Sequence, residues 1–158
     1  MRNFHRAPMM SNKAVTLVTS KALMTQFRRV TDQFSVSPQI AVDDVAQAAA
    51  QGVVLIINNR PDGEDPAQPQ GAEIEAAARA AGLEYVVIPV RGGPDAAQVQ
   101  AQREAVEAAQ GPVLAYCRSG TRSIVTWAIG QAQSGAMDRQ TLIALGAEAG
   151  YDLSGVLG

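Results

Sequence analysis

The chain has 158 residues, 47% apolar and 18% charged, with a net charge of −2. That is enough for one domain with a sizeable core, and so small a net charge argues against general nucleic-acid binding. One cysteine, Cys117, and one histidine, His5, leave an internal disulfide, a cysteine-based zinc site, a Ser-His-Asp triad, a Cys-His protease pair and a histidine-rich metal centre without their parts. No metal or cofactor is therefore expected, and a lone unpaired thiol fits a reducing compartment, the cytoplasm by default. The longest apolar runs, such as residues 53–57, fall far short of the roughly 20 residues that span a bilayer.

The charge is unevenly placed. Before Asp32 stand six basic residues and no acid, so the remainder of the chain carries −8. Residues 1–25 are basic, acid-free and rich in Ser, Thr and Met, a composition shared with transit peptides. They are expected to form a flexible N-terminal extension, with an α/β domain over 26–150 and a weakly ordered tail over 151–158.

From Phe27 the pattern turns regular. Phe34–Ser37 alternates like a short strand that Pro38 ends. Asp43 and Asp44 precede an alanine-rich helix that Gly52 stops, and Val53–Ile57 is a continuously apolar, β-branched run typical of a central parallel strand. A polar loop, Asn58–Pro66, follows at the strand end where open α/β sheets bind ligands. Glu73–Ala81 reads as helix, Glu84–Val90 as the third strand, and Asp95–Ala109 as a helix with Asp95 at its N-cap. Val113–Tyr116 is the fourth strand. Ile124, Val125, Ala128, Ile129 and Ala132 recur at helical spacing, Ser134-Gly135 ends that helix, and Asp138 caps a last one through Gly146. This alternation predicts a three-layer α/β sandwich around a mostly parallel sheet of four to five strands.

The segment that carries chemistry is Gly111–Ser123, GPVLAYCRSGTRS. It is a strand, a tight loop and a helix start, with the thiol where they meet. Unpaired backbone N–H groups and the positive end of a helix dipole converge at such a point, a setting that favours an anion. Gly120 supplies the backbone freedom a closed loop needs, and Arg122 a fixed charge for oxyanions. Arg118, Ser119, Thr121 and Ser123 complete the loop, with Thr121 or Ser123 able to cap the helix and donate to the sulfur. Arg60, Asp62, Arg91 and Asp95 lie in or just after loops that follow strand C-termini and form a candidate rim for substrate. For Arg60 and Arg91, an exposed loop charge or an ion pair with Asp62 or Glu64 is an equally good role, and for Asp95 the N-cap is the better one.

The strand, Cys117, loop, Arg122 and helix sequence resembles the active loops of cysteine phosphatases and of rhodanese sulfurtransferases. CRSGTRS is very similar to the loop of single-domain rhodaneses. The wider set of VTDQFSVSPQI (30–40), IINNRPDGE (56–64), AAGLEYVVIPV (80–90) and GPVLAYCRSGTRS is similar to a bacterial family of beta-lactamase-hydrolase-like, phosphatase-like or sulfurtransferase proteins, over roughly residues 27–135. The resemblance implies a dual-specificity-phosphatase-like fold with a rhodanese-like loop.

Three departures bear on the activity. Four residues separate Cys117 from Arg122, where cysteine phosphatases have one more. Tyr116 stands where those enzymes usually have histidine, and Gly92 stands at the aligned place of their general-acid aspartate. Leaving-group protonation is worth about 10²–10⁴-fold, so its loss penalises unactivated esters. The expected activity is therefore sulfur transfer through a Cys117 persulfide, from a small-molecule sulfur donor to an external thiol or cyanide. The alternatives are a cysteine phosphatase working through a phosphocysteine and a non-catalytic anion-binding or redox-sensing module.

Overall fold

The computed structural model describes residues 26–157. In chain order the elements are β1 (Arg28–Thr31), β2 (Phe34–Ser37), α1 (Val42–Ala50), β3 (Leu55–Asn58), α2 (Gly71–Ala80), β4 (Glu84–Val87), α3 (Ala96–Ala108), β5 (Val113–Tyr116), α4 (Thr121–Ser134) and α5 (Arg139–Ala149). The strands form one sheet in the order β1-β2-β5-β3-β4, in which only the β1–β2 pair is antiparallel.

Strand alternation sends successive side chains to opposite faces, and that divides the core in two. Phe34, Val36, Leu55, Ile57, Val113 and Ala115 face a layer that includes Ile124, Trp127 and Ala128 of α4 and Leu142 of α5. Ile56, Leu114 and Tyr116 face the other way, against Val45 and Ala48 of α1 and Ile74 and Ala78 of α2. The three-layer α/β sandwich expected from the strand–helix alternation is thus the fold. Trp127 stacks on Phe34 with ring centroids 5.0 Å apart, so the one tryptophan belongs to the core.

The structure differs from the sequence expectation at several places. Strand β1 was not anticipated, because two exposed arginines interrupt its apolar pattern: Arg28 pairs with Val36 and Arg29 with Ser35 at the sheet edge. Strand β4 ends at Val87 rather than Val90, and beyond it Ile88 N–H and Val90 N–H donate to the carbonyls of Asn58 and Asn59. Helix α4 begins at Thr121, three residues before its apolar stripe, and α5 runs on to Ala149. Residues 151–157, expected as a loose tail, pack back on the domain: Leu153 is 1% exposed and Tyr151 N–H donates to Gly146 O. The flexible extension expected over 1–25 lies outside the described residues.

Candidate active site

Strand β5 is the middle of the sheet, with β2 on one side and β3 on the other. The loops that leave these three strands therefore share one end, and the crevice where the strand order reverses opens between them. Backbone bonds carry the pairing right up to the thiol. Cys117 N–H donates to Ser37 O at 3.3 Å, and Asn59 N–H donates to Tyr116 O at 2.8 Å.

Cys117 is fully buried, and Gly120 N–H donates to its Sγ at 3.1 Å. Gly120 has φ +91, and a Cβ there would sit 2.2 Å from the Tyr151 hydroxyl, so glycine is required both by the backbone angle and by space. Around the sulfur, the loop carbonyls find outside partners. Arg118 O accepts from Gln39 N–H and Ser119 O from the Tyr151 hydroxyl. The N–H groups of Arg118, Ser119, Arg122 and Ser123 meet no acceptor among the described residues. Free donors at the start of a 14-residue helix are suited to receiving an anion.

The hydroxyls play smaller parts than expected. Helix α4 has Gly120 at its N-cap and no side-chain cap. Thr121 Oγ1 accepts from the Ser119 hydroxyl, and the buried Ser123 Oγ has no partner among the described residues. Neither Thr121 nor Ser123 donates to the sulfur. That place is taken by the Gly120 amide.

Arg122 is held by Glu64. Its Nη1 and Nη2 each lie 2.8 Å from one carboxylate oxygen, and Nη1 also donates to Val90 O at 2.8 Å. The same carboxylate accepts from Arg60 Nε at 3.0 Å, and Arg60 Nη1 donates to Gln39 Oε1. One carboxylate thus ties together the loops after β2, β3, β4 and β5, and the group of two arginines and one glutamate keeps a net positive charge. The Arg122 bond holds the Glu64 carboxyl well down, to about 2, with Arg60 adding to the effect. Glu64 in turn raises Arg122 above its ordinary value, so both stay ionised at neutral pH.

Of the candidate rim residues, Arg60, Asp62 and Arg91 line one cavity and Asp95 does not. Arg60 is 4% exposed and paired with Glu64, the ion pair expected as one of its roles. Asp62 accepts from Gly71 N–H at 2.8 Å, at the start of α2, and Asp95 caps α3 by accepting from Gln98 N–H at 2.8 Å. Arg91 and Arg118 are exposed. Arg91 lines a cavity of about 360 Å3 with Asn58, Arg60, Asp62 and Glu75.

Tyr116 points to the layer opposite the thiol side of the sheet. Its hydroxyl lies 3.2 Å from that of Tyr85, which also accepts from Asn58 Nδ2 at 2.9 Å. Burial drives Tyr116 far above the usual phenol range, so it stays a neutral phenol. Asn59 donates to Ile88 O and to buried Gln102, which donates to Ser123 O. Glu64 as the partner of Arg122, and Tyr151 as the partner of the loop, were missed. They lie 58 and 32 residues away from those contacts in sequence, and no local pattern signals them.

Fold and loop together define an α/β domain of the cysteine-phosphatase-like class, with a thiol at the start of the helix that follows the central strand. The chain belongs to the family described as "Beta-lactamase hydrolase-like protein, phosphatase-like domain", which matches residues 26–134. Beta-lactamase hydrolase-like proteins of Agrobacterium fabrum and Xylella fastidiosa are 36% and 39% identical, over 79% and 78% of this chain. The chain spans 29% of the length of these curated relatives. A Neisseria meningitidis protein classed provisionally as a phosphatase is 33% identical, with a TM-score of 0.73 over 81% of this chain and 91% of its own. TpbA of P. aeruginosa, solved in complex with phosphotyrosine, shares the fold at 19% identity and a TM-score of 0.59, over 86% of this chain and 76% of its own. The fold and the beta-lactamase-hydrolase-like, phosphatase-like family expected from the sequence are those found, while the sulfurtransferase, rhodanese-loop part of that expectation gains no support. On activity, these comparisons support the phosphatase alternative better than the sulfur transfer expected first. Among the described residues, no helix is long and apolar enough to cross a membrane.

Proposed function

We propose that the domain is a cysteine-dependent phosphoester hydrolase acting on esters with good leaving groups, aryl phosphates above all. The observation that carries this reading is the buried Cys117 sulfur, bonded by the Gly120 N–H in a loop with further unpaired N–H groups, with Arg122 close enough to feel its charge. The family and the phosphatase-class neighbours support it. In this reading the loop N–H groups receive the three non-bridging oxygens, and the thiolate attacks phosphorus in line with the leaving oxygen. The P–O bond breaks and phenolate departs. Water then attacks the phosphocysteine, the P–S bond breaks, and inorganic phosphate leaves with the thiolate restored.

The restriction to good leaving groups follows from the carboxylates. Asp62 and Asp95 are occupied at helix N-termini, and Glu64 is ionised down to about 2. Glu64 therefore holds no proton for the leaving oxygen at neutral pH, and both aspartates are engaged with helix N–H groups. Hydrolysis of p-nitrophenyl phosphate that is inhibited by vanadate and lost in Cys117→Ser is the expected result. Wild-type protein without vanadate-sensitive hydrolysis contradicts the reading.

Sulfur transfer is the second reading, favoured by the four-residue loop and by the missing acid. Here the thiolate attacks the outer sulfur of thiosulfate, the S–S bond breaks, sulfite leaves, and a Cys117 persulfide remains. Cyanide or an external thiol then removes the terminal sulfur. The acceptor must be external because the chain has one cysteine. Thiocyanate formation without phosphate release would put this reading first. If both assays are silent and peroxide oxidises Cys117, the loop is a redox sensor.

A further inference from the structure

We propose that Tyr151 is a positioning residue that holds the Ser119–Gly120 peptide in the orientation needed to receive an anion. The proposal rests on the reading of the Cys117 loop as an anion receptor.

The argument starts from one planar unit. In a trans peptide, the carbonyl of one residue and the N–H of the next point in opposite directions, and no cis peptide occurs among the described residues. In the peptide between Ser119 and Gly120, the N–H donates to Cys117 Sγ at 3.1 Å, while the carbonyl accepts from the Tyr151 hydroxyl at 2.9 Å. The sulfur and the tyrosine therefore grip opposite ends of the same unit. Glycine tolerates φ of either sign, so the peptide before Gly120 is the easiest in the loop to turn over. Turned over, it would aim a carbonyl at the sulfur and its anion. The Tyr151 hydroxyl removes that option, since the flipped carbonyl would forfeit its donor.

Tyr151 is itself firmly held. Its N–H donates to Gly146 O at 2.8 Å, and Arg28 lies over its ring, 5.5 Å from the centroid. Arg28 also donates to Ala149 O at 3.4 Å. Two residues on, Leu153 fills the space above Gly146, where a Cβ would meet Leu153 Cδ1 at 2.6 Å. The brace lies beyond residues 26–134, the part matched by the family. It joins the C-terminal segment and the edge strand β1 to the loop.

The test uses Tyr151→Phe, which keeps the ring against Arg28 and deletes only the hydroxyl. Two quantities are measured on the wild type and the variant, with the thermal midpoint as the folding control. One is the inorganic phosphate concentration that halves alkylation of Cys117 by iodoacetamide. The other is the hydrogen-exchange rate of the Gly120 amide in phosphate-free buffer. The expected result is about a tenfold rise in the phosphate concentration, the equilibrium effect of one well-made hydrogen bond, together with faster Gly120 exchange. Unchanged values of both overturn the proposal. If phosphate fails to protect even the wild type, the anion-receptor reading falls. The exchange rate then decides the brace alone, with acceleration supporting it and no change rejecting it.

Discussion

Glu64 shows how much a single side chain can organise here. Its carboxylate takes a bidentate pair from Arg122 and a further bond from Arg60, so three strand-end loops and the start of α4 depend on it. Its carboxyl lies at about 2, against an ordinary 4.5. As pH falls through that window, the unfolded chain binds the proton first, so the stabilisation is complete above 4.5, declines below it and is gone near 2. Glu64→Gln should therefore be less stable than wild type at pH 7, with the gap closing between pH 4.5 and 2, in thermal midpoints measured across that range. A gap that stays constant with pH would show that the ion pairs contribute nothing. The same variant frees Arg122 from its carboxylate. Hydrolysis in Glu64→Gln should then fall through a raised KM for the aryl phosphate, because the guanidinium loses its fixed position.

At the scale of elements, helix starts are used for two different purposes. Helix α3 has its N-terminus closed by its own residues: Asp95 accepts from Gln98 N–H, and the Gln98 side chain accepts from Asp95 N–H. Helix α4 begins on Gly120 with no side-chain cap, which leaves its first donors for a ligand. Asp95→Ala separates a structural from a catalytic role for this carboxylate. A lost cap costs about 1 kcal/mol of stability and leaves kcat unchanged, whereas a lost general acid lowers kcat about 10²–10⁴-fold. The cap geometry predicts the first outcome, read from the thermal midpoint and from p-nitrophenyl phosphate turnover.

At the scale of the whole molecule, the strand order places β5 between β2 and β3 and gathers their loops around the thiol. Much of this was legible in the sequence, because it is written locally. The apolar run at 53–57, the strand–Cys–Gly–Arg–helix order and the cap at Asp95 each signal themselves within a few residues. Edge strand β1 did not, since Arg28 and Arg29 face out and its partner is the next strand rather than a buried layer. Nor did the holding contacts of the site. Glu64 reaches Arg122 and Tyr151 reaches Ser119 only through the tertiary fold. The ion pair of Arg60 with Glu64 was one of the roles its loop suggested, whereas its bond to Gln39, which helps hold it in the interior, spans 21 residues and has no local signal.

The central claim is that Cys117 is the nucleophile, and it is tested most directly by intact mass of the protein quenched in acid during turnover of p-nitrophenyl phosphate. The account predicts one phosphoryl group on the wild type and none on Cys117→Ser. An unmodified wild-type protein that still releases phosphate, or an adduct that survives in Cys117→Ser, would contradict it.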